Sequence, residues 1–248
     1  MASFHAHLVL IYSWSTLSDI PRDSPLFALP VSVLRTLNAH RDAIALQKVL
    51  SSLDNFRLAH RSLKLFLKSH GLIGARFGFL GGFHLAFLLA RVCILLPPSA
   101  SPPQIIRVFF HTYARWDWER DMVTVPVAGI PLATYRRSVA REPLCVLSIE
   151  KPMVNMTING NVQSLAVLRQ EFALADHSLE AGKSWKEICI GHEDSPLTEF
   201  LKRHKAFVKI DVNYWGSGCM GGRALVGWLE SRLVNVSHFN FLLFKYRS

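Results

Sequence analysis

Residues 77–96, FGFLGGFHLAFLLARVCILL, form an almost unbroken apolar run, and PPSASPP follows at 97–103. Twenty such residues are just enough to cross a bilayer as a helix. How this segment is buried therefore decides what the whole chain can be. His84 and Arg91 lie inside it, and an arginine near the middle of a span costs several kcal/mol. Gly78, Gly81 and Gly82 crowd the start, which suits a loop and a helix N-terminus better than twenty continuous helical residues. The prolines then stop the helix. The segment is predicted to be a buried core helix over about 82–96, with no membrane as partner. His84 on that apolar helix reads as a core histidine with its hydrogen bonds satisfied, not as a ligand. The chain has 248 residues, half of them hydrophobic and 19% charged, which is enough to fill a core and unlike a disordered chain. That length suits one large domain or two small ones. Mean hydropathy is high, at +0.22, because of runs such as this one.

The first fourteen residues, MASFHAHLVLIYSW, carry a short apolar run without a basic leader and read as a strand. After the turn-rich SDIPRDSP (18–25), residues 31–70 read as helix with a break near Ser51–Ser52. The core helix comes next, then a helix over about 103–114 carrying Ile105, Ile106, Val108, Phe109 and Phe110. WDWERDMVTVPVAGIPL (116–132) is rich in Pro and Gly and reads as a linker. Beyond it the expected order is a strand at 144–149, a helix at 161–181, a strand at 206–215, a helix at 223–236 and a strand at 239–246. That order predicts an α+β domain with an antiparallel sheet. Cys93, Cys145, Cys189 and Cys219 lie far apart with no C-x-x-C, which argues against a zinc site or a disulfide framework.

Formal charge is +10, and the 28 basic residues are mostly Arg, whose planar fork grips phosphate. The sharpest local pattern is DNFRLAHRSLKLFLKSH (54–70). Arg57, Arg61, Lys64 and Lys68 fall within about a 60° arc at 100° per residue. Phe56, Ala59, Leu63, Phe66 and Leu67 take the other side. Between Arg35 and Arg76 there are eight basic residues and two Asp, a local charge of +6. A solvated face normally mixes signs, because like charges at helical spacing repel. The face is either the exposed side of a basic protein or a phosphate-binding surface.

These residues bring a family into view. The stretch 55–118 holds a basic helix, G-F-L-G-G, an apolar helix with A-R-x-C, a short helix with F-F, and W-D-W. In that order it closely resembles the central helical domain of eukaryotic poly(A) polymerases. Upstream, DSPLFALPVSVLRTLNAHRD is similar to the family segment ending R-S-L-N-G-x-R. Downstream, LRQEFALADHSL with KSW, and LVGWLESRLVNV, look like the two helices of the family's RRM-like RNA-binding domain. The resemblance implies three parts: residues 1–23 as a remnant of the nucleotidyltransferase domain, 24–125 as the central helical domain, and 126–248 as an RRM-like α/β-sandwich.

Such enzymes add AMP from ATP to RNA 3′ ends, using Mg²⁺ or Mn²⁺ held by carboxylates to clamp the attacking and leaving oxygens. They act in the nucleus on pre-mRNA, with 3′-end processing proteins as further partners. The resemblance places Lys64 against the triphosphate, and the backbone of Gly82 and Phe83 against the nucleotide. Arg57, Arg61 and Lys68 would support phosphates of ATP or RNA. Ile73 replaces the family's usual aromatic near the base, and Gly74–Ala75 replaces a polar pair, so weak adenine readout is expected. KRHKAFVK (202–209), with Lys202, Arg203 and Lys205 near Tyr214 and Trp215, suits single-stranded RNA; it reads equally as an edge strand guarded by Lys. The metal-binding carboxylates are missing. There is no D-x-D anywhere in the chain, and the strand at 8–14 carries no acid. Asp117-x-Glu119 matches the structural W-[DE]-W and reads as packing and capping. The expectation is a form unable to catalyse alone, either part of a longer enzyme or a relative kept as a non-catalytic RNA-binding module.

Two further motifs are decoys. GSGCMG (216–221) fits G-x-G-x-x-G but lacks the acid that would hold a ribose. AGKSW (181–185) echoes the end of a phosphate loop without its first glycine.

Overall fold

A computed structural model describes residues 31–126, 135–150, 153–190, 208–209, 219–233 and 242–243. The strand expected at 8–14 lies outside them, as do Lys202, Arg203, Lys205, Tyr214 and Trp215.

Helices α1 (Val31–Val49) and α2 (Leu53–Ser69) are separated where Ser51–Ser52 was expected to break them. Ser52 caps α2, its hydroxyl accepting from the Asn55 N–H at 3.5 Å. Asp54 in the first turn and Lys68 in the last complement the helix dipole. The chain leaves α2 through Gly71, at φ +69°, with the Leu72 N–H donating back to Leu67 O. The apolar run becomes α3 (Gly82–Leu95), fourteen residues long. Among the described residues no helix is long and apolar enough to cross a membrane. Leu85, Phe87, Leu88, Leu89, Ala90 and Val92 are all buried. A helix apolar on nearly every side is stable in water only at the centre of a fold. The prolines after it have a second use. Ser101 caps α4 (Pro102–Ala114), its N–H reciprocated by the Gln104 Oε1 at 2.8 Å, with proline in the first turn where no N–H is needed.

Within the linker expected at 116–132, the stretch 116–126 is packed against the core, and 127–132 lie outside the described residues. Trp118, Val123 and Val125 are buried, and the Trp118 Nε1–H donates to Tyr113 O at 3.3 Å. Val123 and Val146 form an isolated parallel bridge, and Leu147 and Asn155 an antiparallel one. The extended stretch at 144–149 therefore pairs by single bridges rather than in a ladder. Helix α5 (Val162–Glu180), capped by Asn161, lies along α4, where Phe172 meets Phe109 and Phe110 edge-on at centroid distances of 5.6 and 5.8 Å. Helix α6 (Trp185–Ile190) places Trp185 6.3 Å from both Phe66 and Phe110. Its cap is Ser184, whose Oγ accepts from the Glu187 N–H at 3.3 Å while the Glu187 Oε2 accepts from the Ser184 N–H at 2.7 Å. The AGKSW motif is thus a capping box. One apolar cluster includes residues from Ala45 to Cys189, on both sides of the boundary expected at 125/126. The helix at 161–181, expected in the RNA-binding domain, belongs to that cluster.

Beyond residue 190 the described elements are β1 (Val208–Lys209), α7 (Cys219–Leu233) and β2 (Leu242–Leu243). Cys219 and Met220 of the G-x-G-x-x-G decoy lie in the first turn of α7. Where the sequence reading expects an antiparallel sheet, β1 and β2 pair parallel. The physical reason is the connection: a helix between two strands carries the chain back to its starting end, which a parallel pair requires.

Two polar side chains fix the irregular segments. Arg137 uses all five of its N–H groups on main-chain carbonyls: Nε on Glu142, Nη1 on Glu119 and Asp121, and Nη2 on Trp118 and Pro143, at 2.7–3.3 Å. Arg137→Ala removes that hub and is expected to destabilise the fold by about 2 kcal/mol, the scale of losing hydrogen bonds to a charged group; a lowered denaturant midpoint is the measurement. Asp42 on α1 is fully buried, and its Oδ1 accepts from the N–H groups of Ile149 and Glu150, each at 2.9 Å. Burial pushes its carboxyl up from 3.8 to about 7, with the Glu150 charge adding and the two N–H groups and Arg41 opposing. Between about pH 4 and 7 the folded chain therefore holds a proton that the unfolded chain has released. The stability this gives is complete below about pH 4 and is lost as pH rises through about 7. Asp42→Asn, neutral throughout, is expected to flatten that decline in denaturation measured from pH 4 to 8.

Candidate functional site

The α2 stripe is built as its periodicity predicts. Arg57, Arg61, Lys64 and Lys68 are exposed, and Ala59, Leu63, Phe66 and Leu67 are buried at 1% or less. Arg57 is paired with Asp54 at 3.4 Å, both well exposed, a contact worth little in water. Among the described residues Arg61, Lys64 and Lys68 have no acidic partner. Leu58 and Leu65, 55% and 53% exposed, flank the stripe on one side, so the face is cationic with an apolar border.

Packing of α2 on α3 brings the stripe alongside a helix N-terminus. The start of α2 lies beside the end of α3, with Ser52 and Asn55 facing Cys93 and Leu96. The two helices therefore run in opposite directions, and the N-terminus of α3 comes alongside the second half of α2. Lys64 Nζ stands 3.9 Å from the point a Cβ on Gly82 would occupy. One turn earlier, His60 Nε2 contacts Gly82 O at 2.9 Å. Phe83 packs edge-on against Phe87, 5.1 Å between centroids. A helix N-terminus presents N–H groups with no intrahelical partner and the positive end of the dipole; here a lysine amine stands beside it. The combination is an anion-binding geometry.

The glycines sort themselves by conformation. Gly74 and Gly78 have φ +147° and +82° and shape the loop. At Gly78 a Cβ would meet Asn159 O at 2.7 Å, so the loop is braced from behind by the segment leading into α5. The Asn159 Nδ2–H also donates to Ala75 O at 3.2 Å. Gly82 has neither a positive φ nor a steric clash; an alanine there would make only ordinary contact with the lysine amine. The backbone does not require glycine at 82. Its small size leaves open the space in front of Lys64.

His84 is a satisfied core histidine, as expected. Burial holds its pKa below the usual value, opposed by its bond to the Met156 backbone. Its Nδ1 accepts from the Gly81 N–H at 3.1 Å. Arg91 also stays inside, donating to Thr124 O at 2.8 Å, with its guanidinium 4.9 Å over the Trp116 ring. Burial pushes the thiols of Cys93, Cys145 and Cys189 up to about 11, 12 and 12, so none is a thiolate at neutral pH.

The described residues alone do not supply the carboxylates for the metal pair that the resemblance implies. Among the described residues one His/Asp/Glu group has ligand atoms close enough for a shared ion: His111 with Asp176 and Glu180, on α4 and α5. Arg115 already binds both carboxylates, so the group is an interhelical ion-pair cluster. Asp117 Oδ1 accepts from the N–H groups of Glu119 and Arg120, which makes it a cap. The sequence reading missed His60, Arg137 and the buried pair of His70 and Glu171, whose Nδ1 and Oε2 lie 2.6 Å apart. Only the S-x-x-E spacing of the α6 cap was there to be read.

Comparison with known proteins follows the same lines. A family described as the poly(A) polymerase central domain matches residues 55–189. The "Poly(A) polymerase" of Dictyostelium discoideum is 28% identical over 237 residues, covering 92% of this chain and 28% of the relative. "Nuclear poly(A) polymerase 4" and "Nuclear poly(A) polymerase 1" of Arabidopsis thaliana are 27% and 26% identical over 238 residues. They cover 90% of this chain and 31% and 32% of the relatives. The chain thus spans about three-tenths of the length of these curated relatives.

Proposed function

The chain belongs to the poly(A) polymerase family through its central domain, and from that premise we propose that it binds ATP and an RNA 3′ end on the α2–α3 face. The observation that carries this is the Lys64 amine beside the open N-terminus of α3 at Gly82. Lys64 meets the triphosphate, the N–H groups of Gly82 and Phe83 meet phosphate oxygens, and Arg61 and Lys68 extend the cationic track for RNA. Arg57, held loosely by Asp54, joins them. Ile73 offers no ring to the base, so affinity comes from phosphate rather than adenine.

Further along the chain, β1, α7 and β2 lie in the region we assign to the RRM-like part. Its basic cluster Lys202, Arg203 and Lys205 adds RNA contacts. We place the boundary with the central domain past residue 189, because the family match reaches that residue and the apolar cluster includes Cys189. The family's reaction is AMP transfer with Mg²⁺ or Mn²⁺. Among the described residues no acids converge beside Lys64, and nucleotidyl transfer requires carboxylates from outside them. A nuclear setting and 3′-end processing partners are carried over from the family, two of the named relatives being nuclear.

The test is direct. Incubated with ATP, Mn²⁺ and a labelled oligo(A) primer, the chain is expected to bind the primer without extending it. Binding should weaken with salt, with a log–log slope of about −2 for three neutralised phosphates on a single strand. Salt-independent binding or none would overturn the RNA reading. Primer extension would overturn the reading of the acids.

A further inference from the structure

We propose that His60 is a positioning residue for the phosphate-binding peptide at the head of α3; this deepens the α2–α3 reading above and rests on it. His60 precedes Lys64 by one helical turn, so the two side chains leave α2 about 40° apart. Its Nε2 contacts Gly82 O at 2.9 Å. A carbonyl oxygen can only accept, so Nε2 carries the proton and the imidazole donates. The carbonyl belongs to the peptide whose nitrogen is that of Phe83. A trans peptide is planar, with its N–H pointing opposite to its C=O. Holding the Gly82 oxygen toward α2 therefore aims the Phe83 N–H the other way, off the open end of α3.

The neighbouring donor is already used, since the Gly81 N–H donates to His84 Nδ1. That leaves the first-turn N–H groups as the free anion donors of the loop. The ring itself is steadied by Phe56, stacked at 5.9 Å between centroids with planes 23° apart. His60 and Lys64 thus divide the work: one fixes the direction of a donor and the other supplies charge. Gly82 has no side chain of its own, so His60 is the side-chain contact that adds to the helix's own hold on this first-turn peptide.

Two variants of the full chain separate this role from simple packing. His60→Phe keeps a ring against Phe56 but cannot donate. His60→Gln loses the ring but keeps an N–H donor. Affinities for ATP and for inorganic tripolyphosphate are measured by calorimetry, and melting temperature is measured in parallel. His60→Phe is expected to weaken both ligands about tenfold, the scale of one charge-assisted hydrogen bond. His60→Gln is expected to stay within about twofold of the parent, the conservative rescue of a donor. Equal affinity for parent and His60→Phe, or equal losses in the two variants, would overturn the role of His60 while leaving the site standing. If the parent chain binds neither ATP nor tripolyphosphate, the α2–α3 reading itself fails and the proposal falls with it.

Discussion

Lys64→Ala is expected to weaken ATP binding ten- to a hundredfold and to leave the melting temperature nearly unchanged. The amine is exposed and, among the described residues, has no acidic partner, so folding gains almost nothing from it. Surface changes of this kind usually alter stability by less than about 0.5 kcal/mol. Binding is different. A cation donating to a phosphate oxygen beside a helix N-terminus forms a charge-assisted hydrogen bond, worth about 1.5–3 kcal/mol, which is the stated range. Calorimetric titration with ATP and a thermal melt on the same sample separate the two effects. A loss of affinity with an unchanged melt supports the site. Unchanged affinity would show that the stripe is a solvated face and nothing more. Lys64→Arg is expected to recover only part of the loss, because the wider guanidinium must fit where a point charge stood in front of Gly82.

The largest expected effect on stability is Glu171→Ala, at about 3–5 kcal/mol. His70 ends α2, Glu171 lies in the middle of α5, and their side chains are 5% and 11% exposed. Ile188 O sits 2.9 Å from His70 Nε2 and can only accept, so that nitrogen holds a proton. The 2.6 Å contact between Nδ1 and Glu171 Oε2 must then contain a second one, on whichever partner carries it. Removing the carboxylate takes the Glu171 oxygen away from the buried His70 Nδ1, and breaking one side of such a pair costs about 3–5 kcal/mol. That is a large part of the roughly 5–15 kcal/mol by which domains are stable. The double variant His70→Leu with Glu171→Leu is expected to recover much of the loss, since neither position then buries an unpaired polar group. Urea unfolding of the three chains measures both steps. A mild effect from Glu171→Ala would mean that this contact between the end of α2 and α5 contributes little to holding them together.

How far the fold could be read from the sequence varied with the range of the interactions involved. Helix breaks at Ser51–Ser52 and at the prolines after Leu96 follow from local rules: Ser and Pro act on their own turns. The apolar run announced its burial because a lone arginine in a span is costly, and Arg91 indeed finds Thr124 and Trp116 inside the protein. The stretch from Trp116 to Val125 misled for the converse reason. Pro and Gly mark an absence of regular structure, not an absence of packing, and Trp118 and Val123 are buried without a helix or a ladder. The helix at 162–180 was legible as amphipathic, but a periodicity says that a face is buried and not what it is buried against. Phe109 and Phe110 of α4 decided that, by meeting Phe172.

The site divides in the same way. The cationic stripe was visible because residues four and three apart share a helix face wherever the helix goes. The resemblance supplied Lys64, Gly82 and Phe83 as members of one site. Their meeting, 18 positions apart in the chain, depends on α2 and α3 running antiparallel. His60 carried no signal at all, since a histidine on a half-buried position is ordinary until its partner is known. Neither that partner nor the pairing of His70 with Glu171 could be read from the order of residues. That order determined the quantities that repeat at helical spacing: which faces are apolar, where the charge lies, where helices start and stop. Tertiary structure alone decided which side chain meets which backbone atom, because a hydrogen bond acts over about 3 Å while the chain can bring almost any two of its segments that close.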